Sequence, residues 1–384
     1  MAIETAPKLR PVKPLNTDAQ NSPTLPGTYY YDPAIFEQEK QKIFYKNWLF
    51  ACHASQVAKP GDYVATTLID QDIIVVRGKD KKLRAFFNVC PHRGSYLCEN
   101  GGGNKKTFVC PYHNWTFDTT GFLKDSNGAD LMPHFDPAEY SLAEMRVEEF
   151  GTHMVFVNFS AEGPSLESMA GGIVDEFREA VPGYDDLVFT ASDPFDLEAN
   201  WKIAIGNFAE CYHCPFAHPQ FIGSNLSLFA TEAWENKTAE YYSSHVVYNA
   251  RPKNRAYSFD LEKADMVNGY IWALWPNTLF MAWPPSSNFI VFKVDPKGPE
   301  NTNESLDYYF KNDPPTKKEV EVVKFHSDVV NEQDIKVILG AQRGARSLGY
   351  GQGRYVVDDY NSWRSEHGIH HFEKLIWDAL HDKT

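Results

Sequence analysis

The stretch Asn200–His218 reads Asn-Trp-Lys-Ile-Ala-Ile-Gly-Asn-Phe-Ala-Glu-Cys-Tyr-His-Cys-Pro-Phe-Ala-His. Its first part predicts a helix, because apolar residues recur there at helical spacing. These residues are Trp201, Ile205, Phe208 and Tyr212. The Cys214-Pro215 pair is predicted to end the helix, since proline lacks a backbone donor and clashes with the preceding turn. The break falls between His213 and His218, so both imidazoles can turn toward one metal ion.

A carboxylate accompanies these two histidines. Glu210 lies one helical step before His213, on the same side of the predicted helix. Two neutral imidazoles beside a carboxylate suggest a non-heme iron centre that needs one further carboxylate to complete a facial triad. The alternative is that the two histidines are unrelated and that the aromatic residues around them belong to an ordinary core.

The composition describes a globular chain. It has 384 residues, of which 43% are hydrophobic, enough for two or three domains. The net charge of −14 argues against nucleic acid and anionic membranes as partners. No run of eighteen apolar residues exists to span a membrane. Residues 1–26 lack the apolar segment of a signal peptide and suggest a loose arm. Six cysteines in such a chain favour a reducing compartment, and we expect the cytoplasm.

The predicted fold class is α+β. Residues 32–48 predict an amphipathic helix, with Asp32 as its N-cap and Pro33 in its first turn. We assign residues 1–47 to an arm and a helix that packs on the larger domain. Residues 48–160 form a small antiparallel β domain. Its predicted strands are Asp62–Ile69, Asp72–Arg77, Lys82–Asn88, Thr107–Cys110, Trp115–Asp118 and Met154–Phe159.

Residues 161–384 predict a larger domain, in which helices cover one face of an antiparallel sheet in a helix-grip arrangement. Its predicted strands are Glu240–Asn249, Tyr270–Leu274, Thr278–Trp283, Asn288–Asp295 and Ser305–Asn312. Its predicted helices are Ser165–Val181, Asn200–Cys214, Pro315–Leu339 and Ser365–His381. The glycines of Gly349–Gly353 lack the strand-turn-helix context of a nucleotide site.

A second group of metal-binding residues lies in the small β domain. Cys90-Pro-His92 and Cys110-Pro-Tyr-His113 each follow a predicted strand, and seventeen residues separate them. Two thiolates and two imidazoles match a Rieske [2Fe–2S] centre. The alternative is a structural zinc ion. Zinc fingers place both cysteines in one half of the motif, whereas here each half contributes one of each, so the arrangement favours the Rieske cluster.

The remaining candidates stay open at this level. The missing iron ligand is expected from the acidic helix Pro315–Leu339, where Asp328, Glu332 and Asp334 compete and spacing does not choose among them. Cys211 and Cys214 form a C-x-x-C pair, which is either a redox motif or, as we favour, two packing residues.

Together, these motifs resemble the catalytic α subunit of a Rieske non-heme iron oxygenase, from Tyr45 to the C-terminal helix. The resemblance assigns the cluster to Cys90, His92, Cys110 and His113, and the mononuclear iron to His213, His218 and Asp334. Gly206 departs from the pattern, since relatives often carry an acidic residue there.

The resemblance also implies an assembly. Glu210 matches the acidic residue that links the Rieske histidine of one subunit to the iron of its neighbour. It therefore implies a homotrimer with electron transfer between subunits. A separate flavin and iron–sulfur reductase would supply the electrons from NAD(P)H, because this chain shows no nucleotide or flavin site.

Within the family, Glu210-Cys-Tyr-His-Cys214 resembles the branch that acts on quaternary ammonium compounds. That branch implies O₂-dependent hydroxylation or N-dealkylation of a carnitine-, choline- or betaine-like substrate. Aromatic faces would hold the cation, and Phe208, Trp275 and Phe280 are the candidates. Hydroxylation of an aromatic ring or aromatic carboxylate is the alternative, followed by a zinc-stabilised protein without enzymatic activity.

Overall fold

A computed structural model describes residues 11–219, 234–248 and 263–382. The chain divides into two compact units. The smaller unit is Phe44–Leu166, and the larger unit combines Met1–Ile43 with Glu167–Thr384. None of the described helices has both the length and the apolar character that crossing a bilayer requires.

All described strand pairs are antiparallel. In chain order the strands are β1 (Pro23–Pro26), β2 (Leu49–His53), β3 (Asp62–Leu68), β4 (Gln71–Arg77), β5 (Leu83–Phe87), β6 (Gly101–Asn104), β7 (Thr107–Val109), β8 (Thr116–Asp118), β9 (Leu123–Asp125), β10 (Glu144–Phe150), β11 (Met154–Asn158), β12 (Val188–Leu197), β13 (Trp234–Thr238), β14 (Tyr242–Val247), β15 (Gly269–Leu274), β16 (Thr278–Ala282), β17 (Asn288–Gly298), β18 (Asn301–Phe310) and β19 (Gln352–Arg354).

The described α-helices are α1 (Pro33–Lys42), α2 (Leu166–Ala170), α3 (Ile173–Ala180), α4 (Trp201–Phe208), α5 (Cys214–Ala217), α6 (Lys317–Phe325), α7 (Glu332–Ala345) and α8 (His367–Leu380). A π-helical segment, His326–Asn331, joins α6 to α7. The helix predicted over residues 315–339 is therefore three consecutive segments. The helix predicted over residues 165–181 is interrupted at Gly171 and Gly172, which both have positive φ.

The smaller unit contains a seven-stranded sheet in the order β2-β11-β10-β5-β4-β3-β6 and a three-stranded sheet, β7-β8-β9. Its core includes Phe86, Phe108 and Phe117, which are almost fully buried, together with Cys90 and Cys110. The two cysteines of the sequence motif thus lie at the edge of a packed apolar core rather than on a free loop.

The larger unit contains a seven-stranded sheet in the order β12-β18-β17-β16-β15-β14-β13. The predicted α+β class is confirmed, with one correction: helices lie on both faces of this sheet. Phe177 of α3 packs on one face, with its ring centroid 5.0 Å from that of Phe280. Phe208 of α4 packs on the other face, 5.6 Å from the ring of Phe292.

The N-terminal segment joins the rest of the larger unit through β1 and α1. β1 pairs with β19 near the C-terminus, so this part of the predicted loose arm is ordered strand. α1 begins as predicted, because the Asp32 side chain accepts a hydrogen bond from the backbone N–H of Ala34, 2.8 Å away. It ends at Lys42, before the predicted Trp48.

A buried ion pair joins α1 to α4. Lys202 Nζ donates to Glu39 Oε1 over 2.6 Å, and both side chains are fully shielded from solvent. Trp201 Nε1 donates to the other oxygen of Glu39 over 2.8 Å. Since neither charge has access to water, removing one partner leaves the other buried and uncompensated.

We therefore predict that Glu39→Gln lowers the free energy of unfolding of the larger unit by about 3–5 kcal/mol. Urea-induced loss of far-ultraviolet circular dichroism measures this change. The matched control is Glu37→Gln on the same helix, because the Glu37 side chain pairs with Lys40 and is itself exposed to solvent. We expect the control to cost about 0–1 kcal/mol. Equal effects of the two substitutions would contradict a special role for the buried pair.

Candidate functional site

The larger unit brings two histidines and an aspartate together. His218 Nε2 lies 2.9 Å and His213 Nε2 3.3 Å from the same oxygen, Oδ1 of Asp334. One ligand atom from each of the three residues lies within 4.8 Å of the others. Among the described residues, this is the only group of three or more histidine, cysteine or carboxylate side chains with that compactness.

Three helix ends position these side chains. α4 ends at Phe208, six residues before the predicted end of the helix. Pro215 does not end α4 but lies in the first turn of α5, and His213 precedes that helix while His218 follows it. Asp334 lies in the first turn of α7. The chain reversal between α4 and α5 turns both imidazoles toward this carboxylate.

Each imidazole is oriented by a partner on its other nitrogen. Glu210 Oε1 lies 2.5 Å from Nδ1 of His213, and Gln333 Oε1 lies 2.8 Å from Nδ1 of His218. An oxygen acceptor at Nδ1 favours the tautomer whose Nε2 is free to bind a metal ion. Glu210 was predicted from the sequence, whereas Gln333 was not.

The group fits a divalent metal ion. With bonds of about 2.1 Å, ligands at right angles around one ion lie roughly 3 Å apart, close to the two Nε2–Oδ1 distances. Burial acts to lower the pKa of His213, but the hydrogen bonds to Asp334 and Glu210 outweigh it and raise that pKa to about 10. The negative field that favours a proton here also favours a metal cation.

The competing carboxylates lie outside this group. Asp328 belongs to the π-helical segment, and Glu332 is the first residue of α7 with an exposed side chain. Neither joins the two histidines within ligand distance in the described structure.

A cavity of about 90 Å³ adjoins the three residues. Most of its described lining is apolar, and it includes no lysine or arginine. The apolar side chains of the lining include Phe208, Ile271, Met281, Trp283, Phe292 and Leu306. Its polar and charged side chains include Asn207, Glu210, Glu304 and His326.

Of the three predicted aromatic substrate contacts, the structure brings Phe208 to this cavity. Phe280 faces the opposite side of the sheet, because residues alternate along β16 and its neighbour Met281 takes the cavity side. Trp275 packs against Phe372 of α8, with ring centroids 5.8 Å apart. Trp275 and Phe280 are therefore withdrawn as substrate contacts.

The sequence prediction overlooked Glu304. This residue is 4% exposed on β18, one position before the strand predicted from Ser305. A glutamate between Thr302 and Leu306, at alternate positions of one strand, shares their inward face, and that alternation was the available signal. Burial, and secondarily the charge of Asp334, raise the pKa of Glu304 to about 8.

Cys211 and Cys214, predicted as packing residues, are joined in a disulfide. This corrects the prediction. Both cysteines line the cavity, and His213 lies between them in the sequence. The four other cysteines are buried and form no disulfide: Cys52, Cys90, Cys98 and Cys110.

The smaller unit presents its cysteine–histidine motifs on two loops of the same conformation. Cys90 N–H donates to Ser95 O over 2.7 Å, and Gly94 N–H donates to Cys90 O over 3.0 Å. In the second loop, Cys110 N–H donates to Trp115 O over 2.8 Å, and Asn114 N–H donates to Cys110 O over 3.0 Å.

The fourth loop residue after each cysteine adopts a positive φ. The angle is 74° at Gly94 and 59° at Asn114. Glycine and asparagine are the residues that tolerate this conformation best. Backbone N–H groups of the second and third residues after each cysteine also hydrogen-bond to its sulfur. Such bonds stabilise a thiolate, and around a cluster they tune its potential.

The two imidazoles lie beside each other. The rings of His92 and His113 have centroids 4.6 Å apart, and His92 stacks on Trp115 at the same centroid distance. Nδ1 of His113 is buried and has no hydrogen-bond partner among the described residues. A buried, unpartnered ring nitrogen beside a second imidazole fits metal ligation.

The spacing of the four side chains distinguishes the two candidate groups. A tetrahedral zinc ion with bonds of about 2.0–2.3 Å would hold its four donors within roughly 3.8 Å of one another. Among the described residues, no three of these four donors lie within 4.8 Å of one another. The thiol pair and the imidazole pair therefore suit a cluster with two separate metal ions better than a single zinc ion.

Comparisons with known proteins identify relatives of both units. A family model described as the ring hydroxylating alpha subunit (catalytic domain) matches residues 184–382. A model described as the Rieske [2Fe-2S] domain matches residues 47–136.

The matching curated proteins include oxygenase components. The carnitine monooxygenase oxygenase subunit of Acinetobacter baumannii is 34% identical over 356 residues, or 92% of this chain and 94% of that protein. The chloroplastic choline monooxygenase of Spinacia oleracea is 30% identical over 367 residues, or 94% of this chain and 79% of that protein.

A solved structure with the same fold is the quaternary ammonium Rieske monooxygenase CntA. Its complex with the substrate L-carnitine superimposes with a TM-score of 0.84 and its complex with the substrate gamma-butyrobetaine with 0.83. Each comparison has 31% identity and covers 96% of this chain and 99% of the solved one.

The disulfide makes a prediction that can be checked by thiol counting. We expect iodoacetamide, added to unfolded and unreduced protein, to modify four of the six cysteines. Mass spectrometry of the peptide that contains residues 211 and 214 measures the pairing. Reduction before alkylation is the control and should expose all six. Six modified cysteines without reduction would contradict the disulfide.

Proposed function

Because the chain belongs to the family of ring-hydroxylating alpha subunits with a Rieske [2Fe–2S] domain, we propose that this monooxygenase oxidises a small quaternary ammonium compound. It would be the oxygenase component of a multi-component system. The observation that carries the proposal is the His213, His218 and Asp334 group beside a small, mostly apolar cavity without lysine or arginine.

We propose that His213, His218 and Asp334 hold the mononuclear iron, and that Cys90, His92, Cys110 and His113 hold the cluster. When bound, the cluster supplies single electrons and the iron supplies the activation of O₂, the proposed co-substrate. The protein's own contribution is orientation. Glu210 and Gln333 fix the two iron-binding imidazoles, and the apolar lining keeps water from the bound substrate.

The proposed substrate class follows from the relatives and from the cavity. Carnitine, choline and glycine betaine monooxygenases are named for quaternary ammonium compounds. Phe208, Phe292 and Trp283 line the cavity, and each aromatic contact with a cation contributes about 0.5–2 kcal/mol depending on desolvation. Hydroxylation or N-dealkylation next to the nitrogen is the expected outcome.

An aromatic ring or aromatic carboxylate remains the second candidate substrate. The family as a whole is described by ring hydroxylation. The cavity argues against an aromatic carboxylate, because the described lining presents carboxylates and no cationic side chain to an anionic ring substrate.

We propose that a separate flavin and iron–sulfur reductase delivers electrons from NAD(P)H and that the chain forms a homotrimer. Glu210 would link the iron centre to the Rieske domain of the neighbouring subunit. Sedimentation of the purified protein tests the trimer. The cytoplasmic location stays a prediction from the sequence.

The iron assignment predicts that Asp334→Ala loses one metal ion and not the cluster. Iron should fall from about three to about two per chain, while the Rieske signal in electron paramagnetic resonance persists and product formation stops. Asp328→Ala removes a nearby carboxylate and is the matched control, for which we expect about three irons. Retention of all the iron in Asp334→Ala would refute the assignment.

The proposed role of Glu210 as a bridge between the iron centre and the neighbouring Rieske domain predicts a different result for Glu210→Gln. We expect normal iron content and a normal Rieske signal, but reoxidation of the reduced cluster by O₂ and substrate should slow by about 10- to 100-fold. Stopped-flow absorbance of a single turnover measures this rate. Glu332→Gln on the exposed side of α7 is the control. Unchanged reoxidation in Glu210→Gln would exclude the bridge.

A further inference from the structure

Glu304 is a buried acid that the proposed iron centre and electron path do not use. It lies on β18, where its register partners are Phe195 on β12 and Val294 on β17. Leu306, two positions along, and its partner Phe292 line the cavity beside the iron-binding group. Glu304 shares their face of the sheet, and it lines the same cavity.

One oxygen of the Glu304 carboxylate has no hydrogen-bond donor among the described residues. Its side chain is shielded from solvent, and Oε1 accepts no hydrogen bond from any residue between 11–219, 234–248 and 263–382. A buried carboxylate oxygen without a donor is costly and rare, and it calls for a partner such as a water molecule, an ion or a ligand.

The balance of charge defines the missing partner. A divalent iron ion held by the proposed ligands would be balanced by Asp334 and by Glu210 beside His213. Glu304, once ionised, is a third carboxylate in the cavity, and the described lining provides no lysine or arginine to neutralise it. A ligand with one positive charge completes the balance.

The chemistry of the cavity lining selects the kind of cation. An ammonium group with N–H bonds requires several acceptors in directed positions, whereas most of the described cavity lining consists of methyl, thioether, disulfide and aromatic groups. A quaternary nitrogen has no N–H, and its methyl groups pack against apolar surface while its charge needs only a nearby negative group. The cavity of about 90 Å³ suits a head group, with the remainder of the molecule lying outside it.

We propose that Glu304 is a specificity-determining residue, whose carboxylate recognises the quaternary ammonium head of the substrate in the cavity that Asp334 also lines. This inference rests on the proposed function and deepens it by naming the counter-charge. Without a cation, burial and the charge of Asp334 keep the carboxyl protonated near neutral pH, since its pKa lies at about 8. A bound cation favours the ionised form.

A pair of ligands of nearly equal shape isolates this charge interaction. Gamma-butyrobetaine carries a trimethylammonium head, and 5,5-dimethylhexanoate is the same molecule with carbon in place of nitrogen. Isothermal titration calorimetry of the iron-loaded, anaerobic protein measures the dissociation constant of each without turnover. In the unsubstituted protein we expect the betaine to bind more tightly.

The test variant is Glu304→Gln, which preserves size and removes the charge. We expect its affinity for gamma-butyrobetaine to fall roughly 30-fold or more, while its affinity for 5,5-dimethylhexanoate stays the same or rises. The matched control is Asp307→Asn. Asp307 is equally buried on β18 but accepts a hydrogen bond from Ser192 and does not line the cavity. The Asp307→Asn substitution should leave the affinities for gamma-butyrobetaine and 5,5-dimethylhexanoate unchanged.

The outcomes separate this inference from the function on which it rests. If the unsubstituted protein oxidises betaines and Glu304→Gln binds both ligands as before, the role of Glu304 is excluded and the function stands. An equal loss of both ligands in Glu304→Gln also excludes it, because a structural defect does not discriminate by charge. If the iron-loaded protein neither binds nor oxidises any quaternary ammonium compound, both proposals fail.

Discussion

The arrangement of the larger unit depends on the buried ion pair between Lys202 and Glu39. Burial lowers the pKa of Lys202, and the neighbouring charge of Glu39 opposes that shift. The ammonium group also lies 5.7 Å from the ring centroid of Tyr30 and 5.2 Å from that of Trp201. Because both charges are shielded from water and each is compensated by the other, α1 and α4 must keep one relative position. α4 then fixes where the chain turns toward His213.

The group of His213, His218 and Asp334 shows which parts of a site a sequence can predict. The proximity of His213 and His218 followed from a helix break in the right place, although the helix ends at Phe208 rather than at the proline. Asp334 did not follow from spacing. The π-helical segment before α7 changes the angular position of every later residue, so a helical projection over residues 315–339 misplaces its carboxylates. The resemblance pointed to Asp334 where periodicity did not.

The fold was predictable where apolar residues alternate and unpredictable where backbone pairing alone decides. Every strand predicted within the described residues overlaps an observed one. β6 is Gly-Gly-Gly-Asn with exposed side chains, and only its pairing with β3 makes it a strand. β12 contains Pro194 and several polar residues, yet it pairs with β18 over its whole length. These pairings depend on partners distant in sequence, which a local pattern does not contain.

The two centres differ in how they depend on the rest of the molecule. Each cysteine–histidine loop of the smaller unit is closed by its own hydrogen bonds and by one residue of positive φ. The geometry of the loop therefore depends on residues close in sequence, and its motif can be recognised from the sequence. In the larger unit, His213 and His218 flank α5, Asp334 lies in the first turn of α7 more than a hundred positions later, and Glu304 comes from a strand of the sheet. Their mutual distances depend on tertiary packing. Substitutions far from the larger unit's site, such as at Glu39, are therefore expected to disturb it, whereas each loop tolerates changes outside its own turn.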